Sequence, residues 1–289
     1  MQLTSQQTVA YLCKRYQLEP SRSSGQNFLV CDDVLMDIIA AANLTDGDTV
    51  LEIGAGFGTL TVELCSRAGA VIAVELERRL YGALRKLAAV HENLRLIEGD
   101  VFKHLSDIDS VVSDLGYTIV ANVPYNITSL ILRTFLERTP RPRELVLLVQ
   151  REVAERIVAE PGEMSLLSVA VQLSGEPSML RTVSRDCFWP VPAVDSAVLA
   201  IRGVGQDAHG YSRSLGPLSR ADLYRVVKIG FSAKRKKLYN NIAAGFRIPK
   251  KDAENALLSA HINASARAQD LSIKSWIDLT KELYRKGGL

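Results

Sequence analysis

The chain has 289 residues, 35 of them Lys or Arg and 32 Asp or Glu, for a formal net charge of +3. Its 47% hydrophobic and 23% charged residues are those of an ordinary globular protein with material for a sizeable core, which excludes disordered and collagen-like chains. No apolar run approaches the roughly 18 residues of a membrane span, and MQLTSQQTVAYLCKRYQ at the N-terminus shows no basic region followed by an apolar one, so neither a membrane anchor nor a signal peptide is read and a cytoplasmic protein is expected.

In chain order, Asp32–Ala42 has helical apolar spacing with acids in its first turn. Short β-branched runs then alternate with amphipathic stretches. Thr49–Ile53, Val71–Glu75, Leu94–Glu98, Thr118–Asn122 and Leu145–Val149 read as strands. Thr59–Ser66, Glu77–Val90 and Thr128–Arg138 read as the helices between them. This βαβα rhythm predicts an α/β fold, a parallel sheet with helices on both faces. Helices over Glu152–Ala159 and Ser165–Leu173 follow, then strands around Ser178–Val183 and Ser196–Ile201. The Gly- and Ser-rich stretch Gly203–Ser219 reads as a connector. Leu223–Phe231, Arg235–Ala244, Lys251–Ala260 and Ile273–Tyr284 all have helical spacing. The predicted organisation is a domain over 1–203, a linker over 204–218 and a small all-helical domain over 219–289.

Charge is unevenly distributed. Between Arg220 and Lys251 the basic residues include Lys234, Arg235, Lys236 and Lys237, and the only acid is Asp222, which suggests a face for a polyanion. The cysteines Cys13, Cys31, Cys65 and Cys187 have no CxxC spacing and are expected to be reduced thiols rather than metal ligands or a disulfide framework. No metal is expected.

Chemistry-bearing residues sit at strand ends. Leu51–Thr59, LEIGAGFGT, is a strand entering a Gly-rich turn and a helix, where glycines let the backbone bend sharply and approach a ligand. The dinucleotide fingerprint GxGxxG needs a Gly where Thr59 stands. The ExGxGxG form instead resembles the first motif of S-adenosylmethionine-dependent methyltransferases. Glu75 ends the second strand, where a carboxylate can accept both ribose hydroxyls. Asp100 ends the third, where it can accept from an adenine's exocyclic amine. Asn122-Val123-Pro124-Tyr125 follows the fourth strand and resembles the NLPY/NPPY motif of enzymes that methylate exocyclic base nitrogens. There the Asn122 side-chain oxygen and the Val123 carbonyl can accept the two N6–H bonds of adenine and localise its lone pair. Pro124 restricts Val123 to extended geometry, and Tyr125 can stack on a flipped base, worth roughly 1–3 kcal/mol. No residue is assigned as general base.

Together with these motifs, Ser24–Leu29 (SGQNFL), Gln150–Arg156 (QREVAER), Cys187–Ser196 (CFWPVPAVDS) and Gly230–Leu238 (GFSAKRKKL) resemble, in order, the signatures of the KsgA-type ribosomal RNA small-subunit adenine dimethyltransferases. The resemblance covers nearly the whole chain. It implies a Rossmann-like class I methyltransferase domain with a C-terminal helical domain, and S-adenosylmethionine as cofactor. It also implies dimethylation of N6 on two adjacent adenines near the 3′ end of small-subunit (16S) ribosomal RNA, by a monomer acting on an immature subunit late in assembly. The implied cofactor pocket comprises Asn27, Leu29, Gly54, Gly56, Glu75, Leu76, Asp100, Val101 and Asn122. The implied catalytic set is Asn122, Pro124, Tyr125 and Phe188, with Phe188 opposite Tyr125 across the base. Lys234, Arg235, Lys236 and Lys237 are the implied RNA-docking residues. Two other readings stay open: an Erm-type enzyme acting on a large-subunit adenine, and a ribosome-assembly or transcription factor of the same fold without catalysis.

Overall fold

The computed structural model describes residues 2–20, 26–112, 116–206 and 210–285. The chain divides into two compact units, Met1–Ala154 with Ser178–Val204, and Glu155–Pro177 with Gly205–Leu289.

In the first unit, helix α1 (Gln6–Arg15) precedes the two-residue strand β1 (Phe28–Leu29) and helix α2 (Asp32–Ala42). Asp32 and Asp33 place negative charge at the positive end of α2, and Asn43 in the left-handed region stops it. Strands and helices then alternate: β2 (Thr49–Ile53), α3 (Thr59–Cys65), β3 (Ala70–Glu75), α4 (Tyr81–Ala88), β4 (Leu94–Glu98), α5 (Leu105–Asp109), β5 (Tyr117–Asn122), α6 (Thr128–Glu137) and β6 (Pro142–Gln150). Helices α7 (Arg151–Ile157) and α8 (Leu166–Gln172) come before β7 (Glu176–Val183), the two-residue β8 (Phe188–Trp189) and β9 (Ser196–Arg202).

The main sheet has the order β4-β3-β2-β5-β6-β9-β7. Strands β4 to β6 are mutually parallel, and β9 runs antiparallel to β6. The chain starts at β2, winds outward to β4, and returns to lay β5 on the other side of β2. The topological switch point, where ligands bind in open α/β sheets, therefore lies between β2 and β5. The central strands are apolar on both faces, with Val50, Leu51, Ile119, Val120 and Val146 at 0% exposure, as expected for a sheet covered on both sides. A Rossmann-like α/β unit is what the alternation predicted. Strands Thr49–Ile53 and Leu94–Glu98 fall where expected, and Glu77–Val90 divides into a 3-10 turn at Arg78–Leu80 and α4. Helices α1 and α5 and strands β1 and β8 had no sequence expectation; the strands are too short to show a period.

The expected boundaries need correction. Residues 155–177 group with the C-terminal helices, because Met164 and Val169 belong to their apolar core and the N–H groups of Gly162 and Met164 donate to the Gln269 carbonyl. Nothing in the local periodicity of a chain reveals such a long-range return. The expected linker holds helix α9 (Tyr211–Leu215), and Leu215 and Leu218 are buried in the same core; residues 207–209 of that stretch lie outside the described residues.

The rest of the second unit is α10 (Arg220–Gly230), α11 (Leu238–Phe246), α12 (Lys250–Ser259) and α13 (Ile273–Arg285). Ser219 caps α10 reciprocally with Asp222. On α13, Ile273, Trp276, Ile277, Thr280 and Leu283 are buried at helical spacing. Among the described residues no helix is long and apolar enough to cross a membrane.

Trp276 is fully buried and its ring lies against Gly230, where an added Cβ would stand 2.3 Å from a ring carbon. Gly230→Ala should therefore destabilise the protein by about 1–3 kcal/mol, against the usual gain of a helical Gly-to-Ala change. Chemical denaturation of wild type and variant checks this.

Candidate active site

The loops that leave β2, β3, β4 and β5 open at the carboxyl edge of the sheet around a cavity of about 630 Å³, within the size range of small-molecule sites. After β2 the chain turns through Gly54 and Gly56, with φ of +79° and +62°, values that carry strain for residues with a Cβ. The Gly54 N–H donates to the Val74 carbonyl at 2.8 Å, tying the turn to β3. A Cβ on Gly54 would lie 3.4 Å from Pro124, and one on Gly56 the same distance from the Phe28 ring.

Glu75, at the end of β3, is 7% exposed. One carboxylate oxygen accepts the Gly56 N–H and the other the Glu77 N–H, both at 2.8 Å. Burial pushes its pKa up, while these N–H donors pull the other way. A carboxylate of this kind can accept from hydroxyl groups such as those of a ribose. Asp100, at the end of β4, uses one oxygen to accept the Phe102 N–H at 3.0 Å. Leu76 stands beside Glu75 with 67% of its surface exposed, an apolar face for an aromatic ring. Asn122, at the end of β5, donates from Nδ2 to the Asn27 carbonyl at 3.0 Å.

All the sequence-expected cofactor residues line this one cavity: Asn27 just before β1 and Leu29 in it, Gly54 and Gly56 from the β2 turn, Glu75 and Leu76, Asp100 and Val101, and Asn122. The donor set fits the expected cofactor: a carboxylate for a ribose, an exposed leucine for an adenine, and glycine turns that leave space where a Cβ would crowd. Ser24 and Gly25 of the SGQNFL signature lie outside the described residues. Among the described residues, no group of three His, Cys, Asp or Glu side chains is placed to hold a metal ion.

Of the residues expected to hold the target base, only Asn122 and Pro124 line the cavity. Tyr125 begins a 3-10 turn, Tyr125–Ile127, and its hydroxyl shares a hydrogen bond of 2.6 Å with that of Ser196. Phe188 is 1% exposed and packs in the core, paired with Leu29 where β8 runs antiparallel to β1. Of the two rings expected to stack on a base, Phe188 is thus covered in this conformation, while Tyr125 is half-buried.

The same pairing overturns the expectation that all four cysteines are reduced. Cys31 and Cys187, 156 residues apart in sequence, form a disulfide; the antiparallel contact of β1 with β8 sets them side by side, which sequence spacing does not show. Cys13 and Cys65 are free and buried, and burial pushes both thiols up to about 11.

Sequence reasoning missed three contributors, Glu52, Phe28 and Phe57. Glu52, the first residue of ExGxGxG, is 1% exposed and accepts from the Thr61 hydroxyl at 2.6 Å. Burial, with the nearby Glu75 charge adding to it, pushes its pKa up to about 8. The position was visible in the motif, but its complete burial was not. Phe28 and Phe57 pack with ring centroids 4.9 Å apart and both line the cavity. Phe28 was legible only as a letter in the SGQNFL signature.

In the second unit, Lys234, Arg235, Lys236 and Lys237 are all exposed. They occupy a turn before α11, whereas the spacing predicted a helix starting at Arg235. The buried Asn241 donates from Nδ2 to the carbonyls of Gly230 and Ala233, holding that turn from below.

Residues 19–285 match the family described as ribosomal RNA adenine dimethylase. The chain is 40% identical over 267 residues to the ribosomal RNA small subunit methyltransferase A of Dehalococcoides mccartyi strain CBDB1, covering 92% of this chain and 89% of that one. It is 38% identical over 279 residues to the protein of the same name from Moorella thermoacetica, covering 92% and 93%. Among solved structures, a dimethyladenosine transferase from Plasmodium falciparum superposes with a TM-score of 0.71 at 26% identity, over 90% of this chain and 98% of that one. The 23S rRNA methyltransferase ErmE gives 0.69 at 26% identity, over 89% and 100%.

Burial of Glu52 makes a testable pH dependence. With an ordinary value of 4.5 in the unfolded chain and about 8 in the folded one, its contribution to stability is whole below pH 4.5. It declines as pH rises and is lost once pH has passed 8. Thermal melting of the cofactor-free protein across that range should show wild type losing stability relative to Glu52→Gln. Parallel profiles would contradict this.

Proposed function

The chain belongs to the ribosomal RNA adenine dimethylase family, and on that premise we propose that it dimethylates N6 of two adjacent adenines near the 3′ end of small-subunit (16S) ribosomal RNA. It does so as a monomer, with S-adenosylmethionine, on an immature small subunit late in assembly. The observation that carries the reading is Asn122. Its Nδ2 donates to the Asn27 carbonyl, which sets the orientation of the amide, and its Oδ1 is the side chain's acceptor, on a residue that lines the cavity.

Glu75 would hold the ribose hydroxyls, Asp100 would accept from the cofactor's adenine amine, and Leu76 and Val101 would enclose that ring, all four lining the cavity. When bound, the cofactor would supply an electrophilic methyl on a sulfonium, whose sulfur would keep the electron pair of the S–C bond as the N6–C bond is made, and N6 would lose one proton to water. Asn122 Oδ1 and the Val123 carbonyl accept the two N6–H bonds, which withdraws the nitrogen lone pair from the ring and aims it at the methyl. Pro124 fixes the loop that carries both acceptors. Tyr125 stacks on the base, and Phe188 closes the opposite side once the groups covering it have moved. Burial raises the Tyr125 pKa, so at neutral pH it is a phenol and takes no proton. Lys234, Arg235, Lys236 and Lys237 contact phosphates and position the RNA without reading its sequence.

The likeness to ErmE supports a second reading, action on a large-subunit adenine. Methyl transfer from labelled S-adenosylmethionine to small subunits lacking the modification, with large subunits in parallel, decides between them. Label is expected on small subunits alone, as N6,N6-dimethyladenine, with Asn122→Ala lowering kcat by roughly 10²-fold or more. Label on large-subunit RNA would establish the second reading, and binding without label a non-catalytic factor. Replacing Lys234, Arg235, Lys236 and Lys237 with Gln should raise KM and flatten its salt dependence by about 0.7–0.9 log units for each phosphate the variant no longer neutralises, with kcat nearly unchanged.

A further inference from the structure

Ser196 stands where the two ends of the active site meet. Because β9 runs antiparallel to β6, its first residue lies at the same edge of the sheet as the carboxyl ends of the parallel strands. Ser196 is 0% exposed and in register with Gln150. Its hydroxyl shares the 2.6 Å hydrogen bond with Tyr125. The residue before it is equally well anchored. Asp195 accepts the Arg185 N–H on its carboxylate at 3.1 Å, and its carbonyl accepts the Arg151 N–H at 3.0 Å. Tyr125 is half-buried and starts a single 3-10 turn, Tyr125–Ile127, and the Thr128 hydroxyl donates to its carbonyl at 3.4 Å. The ring is thus fixed at its far end by a rigid strand and at its near end by a short turn.

We propose that Ser196 is a positioning residue that holds the Tyr125 ring against the target adenine, and that the second methyl transfer depends on it more than the first. The inference rests on the function proposed above. In the first transfer the adenine amine has two N–H donors, one each for the Asn122 oxygen and the Val123 carbonyl. Once N6 carries a methyl group, one N–H remains, so the edge of the base is held by a single hydrogen bond. Each transfer makes one N–C bond, breaks one S–C bond of a fresh cofactor molecule and releases one proton, so the chemistry is the same and the hold on the base is not. Alignment in the second transfer falls more heavily on the stacking wall. A Tyr125 ring released from Ser196 swings about its turn, and the transfer in which the base edge is held more weakly suffers more.

The test uses the full chain with small subunits lacking the modification, and compares wild type, Ser196→Ala, Tyr125→Phe and the double variant. The readouts are N6-methyladenine against N6,N6-dimethyladenine, kcat and KM for each transfer, cofactor affinity by calorimetry, and the melting midpoint. Ser196→Ala should lower kcat of the second transfer roughly tenfold, the loss expected of one hydrogen bond, and that of the first by less. KM and cofactor affinity should stay level while N6-methyladenine accumulates. Tyr125→Phe removes the same bond from the other side and leaves Ser196 in the core, so the ratio can be read even where Ser196→Ala folds poorly. The two changes should not add, since each already breaks the shared bond. Additive losses, or an unchanged product ratio from a protein that still dimethylates, would overturn the inference. Wild-type protein that labels no small subunit would overturn the underlying function and this inference with it.

Discussion

Gly54 and Pro124 are the point on which the site turns. They end neighbouring parallel strands, and a single added Cβ on Gly54 would reach Pro124 at 3.4 Å. The cofactor turn and the target-base loop therefore pack on each other with nothing between them. In the function proposed above, that closeness is what would bring a methyl donor within reach of an amine acceptor. It follows from β5 pairing directly with β2, the crossing where the strand order reverses. Glycine on one side permits the turn, and proline on the other keeps its neighbour extended.

Two buried carboxylates lie behind that contact, and their environments give them different tasks. Glu75 keeps two backbone N–H donors and an outlet to the cavity, so it acts as an acceptor. Glu52 also borders the cavity but is 1% exposed, and its carboxylate accepts from the Thr61 hydroxyl; it holds its proton up to about pH 8. Desolvation outweighs the single hydrogen bond there. A neutral Glu52 beneath the glycine turn spares Glu75 a second full negative charge close by.

The aromatic side of the site is organised by strand pairing. Strand β8 carries Phe188 and pairs with β1, which carries Leu29 of the cofactor pocket, and the Cys31–Cys187 disulfide closes the same junction. Ser196, a few residues on, reaches Tyr125. The residues proposed to hold the cofactor and those proposed to hold the base are therefore parts of one connected structure running from Asn27 to Ser196. Asn122 joins it through the Asn27 carbonyl.

Taken alone, the sequence determined the alternation of strands and helices and the residue types at each strand end. Those depend on local spacing: a period of two or 3.6, and glycine or proline where the backbone must bend or stop. The strand-end residues Gly54, Glu75, Asp100 and Asn122 were legible for that reason, since a parallel sheet sends every such end to one edge. Contacts between distant parts of the chain were settled only by tertiary structure. Residues 155–177 joined the C-terminal helices, and Cys31 met Cys187 across 156 positions. Phe188 turned inward, and Ser196 found Tyr125. Pairings of this kind are set by how whole elements pack and which strands lie side by side, and no window of neighbouring residues carries that information.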